Sequence, residues 1–119
     1  MTHAELYEIV KDHRDVWGQH FAITVCHDGS VEFVRHFTNE AGEPEHVEAE
    51  LLGLGVAWLS RNGATPHLHG NTTNSKCRID YTVTDKDDTE DFYFKYADSP
   101  TAAVYAAIGA VKAARRGSA

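Results

Sequence analysis

Residues 77–84 alternate apolar and polar side chains more cleanly than any other stretch of this chain. Cys77, Ile79, Tyr81 and Val83 alternate with Arg78, Asp80, Thr82 and Thr84. A period of two marks a strand with one buried and one wet face. The acidic run Asp85-Lys86-Asp87-Asp88-Thr89-Glu90-Asp91 follows. Then comes a second strand, with Phe92, Phe94 and Tyr96 on one face and Tyr93 and Lys95 on the other. The pair predicts a β-hairpin with an acidic tip. Asp98 or Ser99 with Pro100 then supplies the cap and first-turn signals of a helix. Val104, Ala107, Ile108 and Val111 are its inward positions. Alanines and Gly109 keep that face thin, so the helix can lie close to a sheet.

The rest of the chain reads as helices and a second hairpin. Thr2 and Glu5 form a T-x-x-E capping box ahead of a helix from about 3 to 17. Leu6, Ile9, Val10, His13 and Trp17 share its face, and Gly18 is its stop. Phe21, Ile23 and Val25 read as a strand, and Val31, Phe33 and Phe37 as its partner, across a turn at His27-Asp28-Gly29-Ser30. Pro44 opens a second helix, roughly 44 to 61, with Glu43, Glu45, Glu48 and Glu50 crowding the end where the dipole favours anions. Val47, Leu51, Leu54 and Trp58 form its stripe, and Leu52, Val56 and Leu59 widen it. That breadth predicts deep burial or a homodimer contact around 47–59. Asn62-Gly63 ends it, and residues 64–75 read as a polar loop. The expected fold is one α+β domain over 1–119, with the order α-β-β-α-β-β-α. Its strands would form a four-stranded antiparallel sheet with helices packed on it.

A chain of 119 residues suffices for a single core. Its formal net charge of −7 disfavours general binding to a phosphate backbone. Lys112, Arg115 and Arg116 cluster in the last turns of a helix, where cations complement the dipole. No apolar run approaches the roughly 20 residues that span a bilayer, and the N-terminus lacks the regions of a secretory signal. Cys26 and Cys77, without a CxxC pattern, fit reduced thiols in a bacterial or host cytosol.

Chemistry-bearing patterns are few. His67-x-His69 places two imidazoles on one side of an extended segment, and Cys26, His27 and Cys77 add donors that zinc favours. No HExxH or CxxC motif accompanies them. The acidic tip offers oxygen ligands. Counted from Asp85, however, the glycine and final acid of a calcium loop fall on Glu90 and Tyr96, so that pattern fails. There is no GxSxG elbow and no phosphate-binding glycine loop. Cys26 and His27 point to opposite faces of a strand. Helix, three strands and helix is also the outline of a double-stranded RNA-binding domain. Here the final helix starts with Ser99-Pro100-Thr101-Ala102-Ala103, which has no cation to reach a phosphate.

From Phe92 to Ile108 the chain runs strand, Asp98-Ser99, Pro100 and alanine-rich amphipathic helix. In this it resembles small phage and prophage proteins of the phage ABA sandwich kind, and the N-terminal helix carrying Trp17 is compatible. The resemblance covers about the last quarter of the chain. It implies a phage-encoded accessory protein and carries over no catalytic residues. The Glu-rich helix and the 64–75 segment depart from it.

These readings lead to a non-enzymatic protein, without a cofactor, that binds a basic protein partner. Asp85, Asp87, Asp88, Glu90 and Asp91 at the tip would make the contact, with Glu45 and Glu48 on the second helix. In the phage context, the concrete version is an inhibitor of a host nucleic-acid-binding defence complex, like an anti-CRISPR protein. The rivals are a small-molecule or nucleotide-binding protein using the 64–75 segment, Arg78 and the Phe92–Tyr96 strand, and a metal-dependent enzyme centred on His67 and His69.

Overall fold

The computed structural model describes residues 1–69, 77–84 and 90–117. The chain divides into two compact units, Met1–Leu54 and Gly55–Ala119, and the division falls inside a helix.

The N-terminal unit begins with the expected capping box. Glu5 donates its amide to the Thr2 hydroxyl at 3.2 Å, and the Thr2 amide donates back to the Glu5 carboxylate at 3.1 Å. The helix it starts is interrupted. α1 spans His3–Val10, a 3-10 turn covers Lys11–His13, and α2 spans Arg14–Trp17. At the break, the Val10 carbonyl accepts the indole N–H of Trp17 at 2.8 Å. That bond satisfies both groups and turns the indole inward.

β1, Phe21–Val25, pairs antiparallel with β2, Val31–Arg35, with Ile23 opposite Phe33. Asp28 closes their turn by accepting from the Ser30 amide at 2.9 Å, and Gly29 takes the positive φ of 86° that the turn requires. Phe37 lies beyond β2 and is 88% exposed, so it is not the strand residue its sequence position indicates. Phe33 is the centre of this unit. Trp17 and Phe21 meet its ring edge-on at 5.5 and 5.6 Å, and Leu6, Val10, Val47 and Leu51 are buried. Full burial of a side chain of this size contributes about 1.5–3 kcal/mol.

α3 spans Pro44–Arg61, as expected. Val47, Leu51, Trp58 and Leu59 are buried, while Leu52, Leu54 and Val56 are half-buried. Much of the broad stripe is therefore covered within the chain. Gly63, at a φ of 81°, lets the backbone turn out of the helix.

The C-terminal unit carries three strands where two were expected. β3, Ala64–His69, pairs antiparallel with β4, Cys77–Thr84, which pairs antiparallel with β5, Glu90–Ala97. The single four-stranded sheet is thereby overturned. Among the described residues there are two separate antiparallel sheets, of two and three strands, and the order is α-β-β-α-β-β-β-α with the first helix broken. Residues 64–69 hid their strand character for a physical reason. Their buried position is small (Ala64), their next inward position is Pro66, and the alternate residues are polar. Pro66 is tolerated because β3 lies at the edge of its sheet. The rest of the expected loop, 70–75, lies outside the described residues.

α4, Pro100–Gly117, packs on β4 and β5. Ser99 caps it, accepting the Ala102 amide at 3.1 Å. Val104, Ala107, Ile108 and Val111 are buried as expected, together with Thr101, Ala103 and Tyr105. Near its other end, Arg115 donates to both the side-chain and main-chain oxygens of Asn62 at 2.6 Å, so a cation closes the C-terminal end of α3. Among the described residues, no helix is long and apolar enough to cross a membrane.

Candidate functional site

Residues opposed across an antiparallel ladder share a face of the sheet, so register decides what the three-stranded sheet presents. One face carries Ala64, Val83 and Asp91 in one row, Pro66, Tyr81 and Tyr93 in the next, and Leu68, Ile79 and Lys95 in the third. This is the packed face: Ala64, Ile79 and Tyr81 are at most 2% exposed. Tyr81 stacks on Tyr93 at 5.5 Å, and burial pushes its phenol above the usual range.

The opposite face is open. Its rows are Thr65, Thr82 and Phe92; then His67, Asp80 and Phe94; then His69, Arg78 and Tyr96. Phe92, Phe94 and Tyr96 are 62%, 53% and 46% exposed. Three aromatic rings thus stand in file along one edge strand. Tyr96 meets Phe94 edge-on at 5.8 Å, and the Arg78 guanidinium lies 4.9 Å over Phe94 and 5.9 Å over Tyr96.

Beside the rings runs a charged set. Asp80 is nearly buried; one of its carboxylate oxygens accepts the Arg78 Nε–H, and the other lies 2.9 Å from His69 Nε2. Burial works against the Asp80 charge, but the hydrogen bond and charge of Arg78, with a smaller contribution from His69, outweigh it and hold the carboxyl below its usual range. The hydrogen bond to Asp80 likewise raises Arg78. The guanidinium is therefore fixed in place, aligned with the rings and charge-compensated.

The expected site residues are distributed unevenly. Asp85, Asp87 and Asp88 lie outside the described residues. Glu90 and Asp91 open β5, both exposed, and point to opposite faces: Glu90 to the open one, Asp91 to the packed one. Glu45 and Glu48 lie in the first half of α3, in the N-terminal unit, Glu45 exposed and Glu48 half-buried. Their neighbour Glu50 is taken up structurally, gripped by Arg35 through contacts of 2.8–3.1 Å, and the Arg35 hydrogen bonds lower its carboxyl despite partial burial.

His67 and His69 share a face of β3, as their spacing indicates, and His69 is engaged by Asp80. Among the described residues, no group of three or more His, Cys, Asp or Glu side chains is placed to hold a metal ion. Cys26 and Cys77 are free and half-buried. The Arg78–Asp80–His69 set escaped sequence reasoning because its third member comes from a strand read as loop. The usable signal was the polar alternation of Thr65, His67 and His69. No protein-family model matches this chain, and no curated protein or solved structure matches it significantly.

Proposed function

We propose that this chain is a non-enzymatic binding protein whose partner docks on the open face of the β3–β4–β5 sheet. One observation carries the reading: Phe92, Phe94 and Tyr96 are large rings left about half exposed in a row, with the Arg78 guanidinium stacked over two of them. Exposed aromatics in file need a reason, because they lose the stabilisation of burial. Aromatic residues and arginine are also the side chains that dominate the centres of protein interfaces. Here Asp80 holds the arginine in its stacked position before any partner arrives, which lowers the ordering cost of binding.

The acidic residues supply the rim. Glu90 adjoins the rings on the open face, Asp91 lies on the opposite face, and a net charge of −7 favours a partner with cations around an apolar centre. A nucleic-acid-handling defence complex of a bacterial host offers the cations such a rim would meet. Inhibition of such a complex in the cytosol, by a phage accessory protein, is the concrete form of the proposal. The test is parallel pull-downs from bacterial lysate with the wild type, Phe94→Ala/Tyr96→Ala, and a variant with Asp87, Asp88 and Glu90 neutralised. A partner retained by the wild type, lost with the aromatic variant and weakened with the acidic one supports the reading. Identical captures by all three overturn it.

The Arg78–Phe94–Tyr96 stack also favours a second reading, a flat small molecule or nucleotide. Asp80 already compensates the guanidinium, which argues against an anionic ligand. A thermal shift with free nucleotides would favour this second reading.

A further inference from the structure

The outer edge of β5 is the other unpartnered feature of the sheet. Among the described residues no strand pairs with it, and Glu90–Tyr96 are all exposed. A free edge with aromatic side chains is a template for another strand unless something guards it. The charges along this edge point to one occupant. On the packed side of the sheet, Asp91 and Lys95 lie four positions apart, each facing an apolar residue of β4: Asp91 faces Val83 and Lys95 faces Ile79. Neither makes an ion pair among the described residues.

We propose that two copies of this chain join edge to edge through β5, antiparallel, about a two-fold axis at Tyr93. A two-fold interface brings the same patch against itself. With the axis at Tyr93, Asp91 of each copy falls opposite Lys95 of the other, giving two cross-strand ion pairs. The same register sets Phe92 opposite Phe94 twice on the open face, and cross-strand aromatic pairs are stabilising. Opposed residues must share a face, so the axis can move only in whole-residue steps. A step either way separates both ion pairs. The result is a six-stranded sheet whose open face carries both aromatic rows without a break. The ion pairs lie on the side of the sheet away from the aromatic row, so substitutions at Asp91 and Lys95 test the pairing without altering the docking face.

Sedimentation equilibrium of the full chain, from micromolar to millimolar concentration, tests the pairing. The wild type is expected to approach twice its 13.2 kDa mass. Asp91→Lys alone and Lys95→Glu alone each set like charges opposite one another and weaken dimerisation by about tenfold or more. Mixed one to one, the two variants regain wild-type association, because each then meets its complement; this recovery also shows that both are folded. A wild type that stays monomeric into the millimolar range overturns the proposal. So does a dimer indifferent to both reversals, or a pair of variants that fails to associate on mixing.

Discussion

Arg78 and Asp80 sit two positions apart on β4, and the Nε–H of the first donates to the carboxylate of the second on the open face of the sheet. His69, from the neighbouring strand, reaches the other carboxylate oxygen at 2.9 Å. This set joins β3 to β4 and fixes the guanidinium over the rings of Phe94 and Tyr96.

Asp80 makes the sheet acid-sensitive. Its carboxyl is lowered in the folded chain, so the unfolded chain binds that proton first as pH falls. The contribution to stability is whole above the unfolded value, about pH 4, and is lost as pH drops through the lower folded value. Asp80→Asn is therefore expected to be less stable than the wild type at neutral pH and to lose less on acidification. Glu50, lowered by Arg35, adds a second contribution of the same sign. Urea unfolding of Asp80→Asn, Glu50→Gln and the double variant between about pH 2 and 6 checks this; an acid limb as steep in the double variant as in the wild type contradicts it.

His3 pins the N-terminal unit through both ring nitrogens. Its Nδ1 accepts the Phe33 amide at 2.9 Å, so its Nε2–H donates to the Gly42 carbonyl at 2.8 Å. Its ring also lies 5.8 Å from that of Phe33. His3→Phe keeps a ring and removes both hydrogen bonds. It is expected to cost about 1–3 kcal/mol, the penalty for orphaning sheltered backbone groups. Chemical denaturation measures it, and a loss seen only with His3→Ala would mean that the ring, not its nitrogens, matters.

Stacking predicts how Arg78 responds to substitution. Lysine keeps the charge but has no planar fork to lie over Phe94 while donating to Asp80. Arg78→Lys is therefore expected to weaken partner capture nearly as much as Arg78→Ala. Capture equal to wild type would show that charge alone suffices at this position.

What the sequence disclosed was local. The Thr2–Glu5 box, Pro44 and Pro100 at helix starts, Gly63 at a helix end and Asp28-Gly29 in a turn each act within a few residues, and each marks its element. The partition of strands was not legible, because pairing is decided over distance. Ala64, Pro66 and Leu68 alternate with Thr65, His67 and His69, but a proline and small inward residues leave too little apolar contrast to announce a strand. The break after Val10 was hidden for a similar reason: a carbonyl seven residues upstream of Trp17 takes the indole N–H. The candidate face was half legible. Phe92, Phe94 and Tyr96 were readable as one side of a strand. That this side meets Thr82, Asp80 and Arg78, away from Ile79 and Tyr81, follows only from the register.

Two glycines on α3 should respond to the same substitution with opposite signs. A Cβ on Gly53 meets nothing within 4 Å, so Gly53→Ala gains helix propensity and is expected to stabilise the chain by up to about 1 kcal/mol. A Cβ on Gly55 would fall 2.6 Å from Val104 Cγ1 and 3.2 Å from a ring carbon of Tyr105. Val104 and Tyr105 are buried on α4 and have little room to give. Overpacking of this kind costs about 1–3 kcal/mol, which exceeds the same propensity gain. Gly55→Ala is therefore expected to be net destabilising, and larger residues at 55 more so. Val104→Ala removes the nearest clashing methyl, so in that background Gly55→Ala should cost less than it does alone. A double-mutant cycle by thermal unfolding reads this coupling. Additive effects at 55 and 104 would mean that α3 and α4 do not depend on close approach at Gly55.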